Sequence, residues 1–296
     1  MGAPEIVICS NLTKDYGSGN GLFDLNLSIY QGEVFGLIGP NGAGKSTFIK
    51  LLMDLIRPTS GSAKIFGLDS RNDSLELKRV MGYLPGELMQ FPSVTAGYIL
   101  NLLLNLRGKK ERSHLYSLSD RLQLDLSRKY QDLSHGNKQK VGLVQAMMHQ
   151  PKLLILDEPT LGLDPIVQRE FRNIIKEYVA SGNTVILSSH IMSEVETICN
   201  RIGLINQGRV LKEGTMAELR STLIHKVSVL FEGSLPEVAE LERAGAEAIE
   251  IEQNSLRFQI KGSVDLAVKA LSRYNILEFD SRELSLEEVF YSEVKS

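Results

Sequence analysis

The chain has 296 residues, 43% of them hydrophobic, and a formal net charge of -3. That length allows one large domain or two smaller ones, and the mildly acidic balance gives no general reason to expect nucleic acid. No apolar run reaches the 18 residues of a membrane helix, no signal peptide opens the chain, and the two cysteines, Cys9 and Cys199, lack metal spacing and fit a reducing cytoplasm.

Ile6-Val7-Ile8-Cys9 reads as a short strand, and Tyr16 to Gly21 as a glycine turn. Leu22 to Tyr30 alternates with Leu25, Leu27 and Ile29 on one face, as a half-buried antiparallel strand does. Tyr16 sits just before the turn. It is either an aromatic plate for a nucleotide base or a tyrosine packing a turn onto the sheet. Val34 to Ile38 is an apolar strand, and it runs into GPNGAGKST: Gly39, Pro40, Asn41, Gly42, Ala43, Gly44, Lys45, Ser46 and Thr47. A helix from Phe48 follows. Strand, glycine loop and helix together are the context of a phosphate-binding loop. Gly39, Gly42 and Gly44 would free the backbone so that amides converge on one anion, helped by the positive end of the helix. Lys45 would reach the outer phosphates, and the Ser46 hydroxyl would hold magnesium.

Arg57 to Ser62 stops the first helix, Ala63 to Phe66 is a short strand, Asp73 to Val80 a helix, and Met81 to Pro85 a strand. Thr95 to Arg107 is a helix apolar on more than one face, either buried in a helical layer or docking a partner protein. Ser134 is a natural N-cap for a helix from Lys138 to His149, a second anion site of the same kind but a weak signal alone. Leu153 to Leu156 ends in Asp157 and Glu158, a buried parallel strand with carboxylates at the end where such sheets bind ligands. Asp157 would hold magnesium through its water shell, and Glu158 would polarise a water against the terminal phosphate. After a helix from Ile166 to Ala180, Thr184 to Ser188 is another buried strand with His190 at its tip. His190 either donates to a terminal phosphate or caps the helix from Met192. Ile202 to Gly214 is a hairpin turning at Asn206-Gln207-Gly208.

With these motifs in order, residues 5 to about 220 resemble the ATP-binding subunit of an ABC transporter. LSHGN stands where that family has LSGGQ, LLILDEPT matches its magnesium and catalytic-base strand, Leu161 to Asp164 matches the loop after it, His190 the switch histidine, and Tyr16 the base-stacking aromatic. GYLPGE, LSHGNKQKVGLVQA and SLEEVF resemble the drug-resistance and ABC-2 type exporters of bacteria and archaea. The resemblance implies an α/β P-loop ABC ATPase core, a mixed sheet with an antiparallel β subdomain and a helical subdomain. It implies ATP and Mg2+ as ligands, and an integral membrane permease subunit as partner. It also implies a homodimer or heterodimer of ATPase subunits facing head to tail, with Ser134 and Gly136 acting on the partner's nucleotide. The location implied is cytoplasmic, peripheral on the inner face of a prokaryotic cell membrane. His135, Asn137 and Leu161 depart from the family pattern, as does Gly86, which stands where most relatives have a glutamine; Glu87, Gln90 or a water can take its place.

Past about residue 221 the order is strand, helix, strand, strand, helix, strand, with a last short helix over Leu284 to Phe290. That order is ferredoxin-like and predicts a small C-terminal α+β accessory domain over 221–296, after an ABC ATP-binding domain over 1–220. Regulation, dimer support or a plain appendage are all open for it. Two rivals to export remain: a soluble ABC ATPase acting on the ribosome or DNA, which is usually a tandem or coiled-coil chain, and a P-loop kinase, which leaves LSHGN and His190 unexplained.

Overall fold

The computed structural model describes residues 3–88, 90, 91, 93–220, 224–261 and 263–283. The opening hairpin is longer than the sequence patterns imply: β1 (Glu5–Gly17) pairs antiparallel with β2 (Asn20–Tyr30). Ser18 and Gly19 turn it with positive φ of 54° and 77°, the geometry that matches strand twist in a two-residue turn. Tyr16 therefore lies on a strand.

β3 (Val34–Ile38) is buried at every position, and the phosphate loop delivers it into α1 (Lys45–Leu52). β4 (Ser60–Ile65) and β5 (Leu68–Asp69) return to the hairpin and complete a sheet in the order β2-β1-β4-β5. Leu12, Leu25, Phe35, Phe48, Ile49 and Ile186 belong to one apolar cluster joining that sheet, α1 and the central sheet. α2 (Ser74–Val80), β6 (Met81–Leu84), α3 (Ala96–Leu106) and α4 (Ser113–Arg121) follow, then α5 (His135–Met147).

β7 (Leu153–Asp157) and β8 (Thr184–Ser189) are also buried throughout, with α6 (Pro165–Ala180) between them. Runs of this kind need cover on both faces, which a parallel sheet with flanking helices provides. α7 (Met192–Ile198) lies so near β3 that a Cβ on Gly36 would come within 2.6 Å of Val195. β9 (Arg201–Asn206) and β10 (Arg209–Thr215) close the sheet, in the order β10-β9-β3-β8-β7-β6. β6, β7, β8, β3 and β9 run parallel. β3, β8 and β7 are thus adjacent, and the loops after all three open at the same edge.

The chain divides into two compact units after Glu213. The second holds α8 (Met216–Arg220), β11 (Ile224–Phe231), α9 (Val238–Arg243), β12 (Ala246–Glu252), β13 (Ser255–Lys261), α10 (Asp265–Leu271) and β14 (Ile276–Glu283). Its sheet runs β12-β13-β11-β14 with antiparallel neighbours, the ferredoxin-like arrangement. Val227, Val229 and Phe231 alternate inward with Leu256, Phe258 and Ile260, against Leu241 of α9 and Leu271 of α10. α9 starts at Val238, two residues past Pro236, with Glu237 as its N-cap residue. The helix expected over Leu284 to Phe290, with the SLEEVF motif, lies outside the described residues.

Candidate functional site

Gly42 (φ 82°) and Gly44 (φ 110°) are left-handed, so backbone freedom is their reason for being glycine. Gly39 is different, and the expectation from sequence is corrected there. Its φ is not positive; a Cβ would lie 2.1 Å from the Ile205 carbonyl oxygen, so close approach of β9 requires it. The turn between β9 and β10 also braces the loop, since the Gly208 N–H donates to the Ala43 carbonyl at 2.9 Å.

Lys45 is buried at the mouth of the loop. Its Nζ donates to the carbonyls of Gly39 (2.6 Å) and Pro40 (3.2 Å) and stands 3.6 Å from Glu158 Oε1. Burial pushes the Lys45 pKa down, while Glu158 and then Asp157 oppose that shift. Asp157 ends β7, buried, and one of its oxygens takes the Ser188 hydroxyl. Glu158 follows in the left-handed region at φ 50°, where a non-glycine residue costs about 1 kcal/mol or more. Its N–H is held at 3.2 Å by both the carbonyl and the hydroxyl of Ser188. Its Oε2 is 2.9 Å from His190 Nδ1; a carboxylate accepts, so the ring donates through Nδ1. One carboxylate therefore joins the loop lysine to the histidine after β8.

A cleft of about 720 Å³ is lined by Asn41 to Thr47, Asp157 and Glu158 among others, so Gly42, Ala43, Gly44, Lys45 and Ser46 meet both carboxylates there. Tyr83 and Glu87 line it too, and burial with the Asp157 charge pushes the Tyr83 phenol up to about 12. A Cβ on Gly86 would stand 3.1 Å from Asp157 Oδ2, so a larger residue there would rest on that carboxylate. Of the two substitutes for the family glutamine, Glu87 lines the cleft and Gln90 does not.

Six expected residues do not line it: Gly39, Pro40, His190, Tyr16, Ser134 and Gly136. Tyr16 is 54% exposed, with Lys14 Nζ 5.3 Å from its ring centre. Ser134 caps α5, accepting from the Asn137 backbone (3.4 Å) and side chain (3.1 Å). Gly136 sits behind it, where a Cβ would come 2.3 Å from the Gly162 carbonyl oxygen. Asp164 caps α6 through the Val167 N–H at 2.9 Å.

Sequence reasoning missed Ser188, which holds both acids. The signal was there: a hydroxyl directly after the apolar run Val185-Ile186-Leu187, on a strand buried throughout, has to find a buried partner. It also missed Glu194, whose carboxylate takes the hydroxyls of Thr160 and Ser189, joining the loops after β7 and β8.

The family model described as ABC transporter matches residues 22–161. The bacitracin transport ATP-binding protein BcrA of Bacillus licheniformis is 38% identical over 213 residues, covering 70% of this chain and 69% of that protein. The probable multidrug ABC transporter ATP-binding protein YbhF of Escherichia coli is 35% identical over 221 residues, 73% of this chain. The chain spans only 38% of the length of that relative. A solved ATP-binding subunit of an ABC transporter is 32% identical and superposes with a TM-score of 0.67, covering 73% of this chain and 92% of that one. The chain belongs to the ABC transporter family, among its ATP-binding subunits.

Proposed function

We propose that this chain hydrolyses ATP as one of a pair of copies and so powers export through an integral membrane permease subunit. One observation carries the reading: Glu158 reaches both Lys45 and His190 at the mouth of the phosphate loop. The loop amides, the amino end of α1 and Lys45 bind the phosphates. Glu158 takes the proton of a water as its oxygen bonds to the terminal phosphorus, and the bond to the ADP oxygen breaks. His190 holds the Glu158 carboxylate in line for that transfer. Ser46 and Asp157 would hold magnesium. Among the described residues no three metal-ligating side chains cluster, and one carboxylate with one hydroxyl suits an ion that keeps phosphate and water oxygens. When bound, magnesium would neutralise charge on the phosphate oxygens.

Ser134 and Gly136 sit on a capped helix outside their own cleft, which supports their acting on the nucleotide of a second copy, in a homodimer or heterodimer. Tyr16, on the strand before the turn, is assigned to the base. Residues 1–220 are read as the ATP-binding domain and 221–296 as an accessory domain for regulation or dimer support. Docking of the membrane subunit is supported by a groove of about 880 Å³ beside α3, apolar at Leu75, Leu103 and Leu106 and basic at Lys78, Arg79 and Lys109. An acidic, amphipathic segment would fit it. No helix among the described residues is long and apolar enough to cross a membrane, so the chain would sit peripherally on the inner face. The relatives' names, bacitracin transport and multidrug, support a small-molecule cargo.

The test of hydrolysis is Glu158→Gln, which should keep ATP binding and abolish turnover; undiminished turnover would remove Glu158 from the role of base. The test of partnership is purification from membranes. Recovery with a polytopic membrane protein is expected, whereas salt-sensitive RNA or DNA binding in its place would overturn export.

A further inference from the structure

Gln139 lies on α5 just beyond the loop of Ser134 and is 2% exposed. Its Nε2 donates to the carbonyls of Glu158 at 2.9 Å and Pro159 at 3.2 Å. Both hydrogens of one buried amide are thus spent on the backbone that follows β7. An apolar side chain of the same size would fill the space, so the position uses the donors. The peptides on the two sides of Glu158 are then held by different elements. Ser188 of β8 takes the N–H, and Gln139 of α5 takes the carbonyl. Clamping both sides is what a left-handed glutamate at φ 50° needs if it is to stay there. α5 grips the same loop a second time, at Gly136, which has room only for a hydrogen against the Gly162 carbonyl.

We propose that Gln139 is a positioning residue that fixes the Glu158 backbone and ties it to the helix capped by Ser134. The inference rests on the two-copy hydrolysis reading. In that reading, Ser134 of one chain meets the nucleotide held by the other chain's phosphate loop. Glu158 of the same chain serves the nucleotide on its own loop. A displacement of α5 as phosphate reaches Ser134 is passed on through the buried Gln139 amide, by its hydrogen bonds to the Glu158 and Pro159 carbonyls. The two nucleotides of a pair therefore set each other's catalytic geometry.

The test uses the full chain with Gln139→Met, which keeps the volume and removes the donors, and Gln139→Glu, which keeps the shape and offers the carbonyls an acceptor. Turnover per folded molecule is expected to fall about tenfold or more in both, because the Pro159 carbonyl loses its partner and the Glu158 carbonyl keeps only the longer bond from the Leu161 N–H at 3.3 Å. The Kd of a fluorescent ATP analogue should stay within about twofold, a split that general loosening of the fold would not produce. Adding Ser134→Ala to Gln139→Met should cost less than the product of the two single losses. Wild-type turnover in both variants overturns the positioning role. Reduced turnover with a fully multiplicative double variant overturns the link to Ser134. Retained turnover in Glu158→Gln, by contrast, would mark failure of the hydrolysis reading itself.

Discussion

Ser188→Ala isolates the one hydroxyl that touches both acids. Ser188 is wholly buried, so alanine fits without a clash and leaves little empty space. Asp157, itself buried, loses the hydroxyl that donates to it. A hydrogen bond to a charged group contributes about 1.5–3 kcal/mol. The Glu158 N–H keeps the Ser188 carbonyl as partner, so its loss is small. The sum is a destabilisation of about 2 kcal/mol, or a fall in Tm of roughly 4–8 °C for a unit of this size. Urea and thermal unfolding followed by circular dichroism measure the first figure. ATP turnover per folded molecule should fall alongside it, since Asp157 and Glu158 both lose a support. A loss under about 0.5 kcal/mol with unchanged turnover would refute the role given to Ser188.

Other expectations test the frame around the site. Arg201 grips Glu33 at 2.8 Å and the Ser28 carbonyl at 3.1 Å, over the rings of Tyr30 and Phe35. Arg201→Met should cost about 3 kcal/mol in urea unfolding by leaving a mostly buried carboxylate unpaired, and adding Glu33→Gln should recover part of that. His149 is 6% exposed and donates to the Met81 carbonyl at 3.0 Å; burial, helped by Arg107, lowers its pKa from 6.5 to about 4. The unfolded chain then takes up a proton that the folded chain refuses. Stability is complete above pH 6.5 and declines as pH falls toward 4, by about 3 kcal/mol at most. Tm measured against pH should show that slope for the native chain and a flatter one for His149→Leu. Gly136→Ala must push the Gly162 carbonyl away, at a cost of about 1–3 kcal/mol; turnover should drop while ATP binding to the isolated chain persists, as an ATPase and binding titration on one sample will show.

What was legible in the chain is what local pattern encodes. The buried runs at Val34, Leu153 and Thr184 mark parallel strands, and residues at their carboxyl ends have to share an edge once the strands are neighbours. That reasoning brings the phosphate loop, Asp157, Glu158 and His190 together before any coordinates. Long-range contacts were not legible. Gly39 reads like Gly42, yet it is glycine because of Ile205, far along the chain. Ser188 and Gln139 look like ordinary polar residues until β8 and α5 are placed against the loop after β7. α4 went unrecognised although Leu115 and Leu118 are buried at helical spacing, because its polar face, with Arg121 paired to Glu170 and Glu177, weakens the apolar signal.

The central claim is that each chain carries two halves of different sites. Lys45→Ala and Ser134→Arg, each on the full chain, should be inactive alone, because each spoils both sites of a pair. Mixed in equal amounts, half of the pairs contain one chain of each kind, with one site doubly spoiled and one intact. ATPase should then reappear, with about a quarter of the native rate as the ceiling for uncoupled sites and a lower value where the spoiled site no longer supports the intact one. If Lys45 and Ser134 serve the same nucleotide within one chain, mixing restores nothing, and that result would contradict the account.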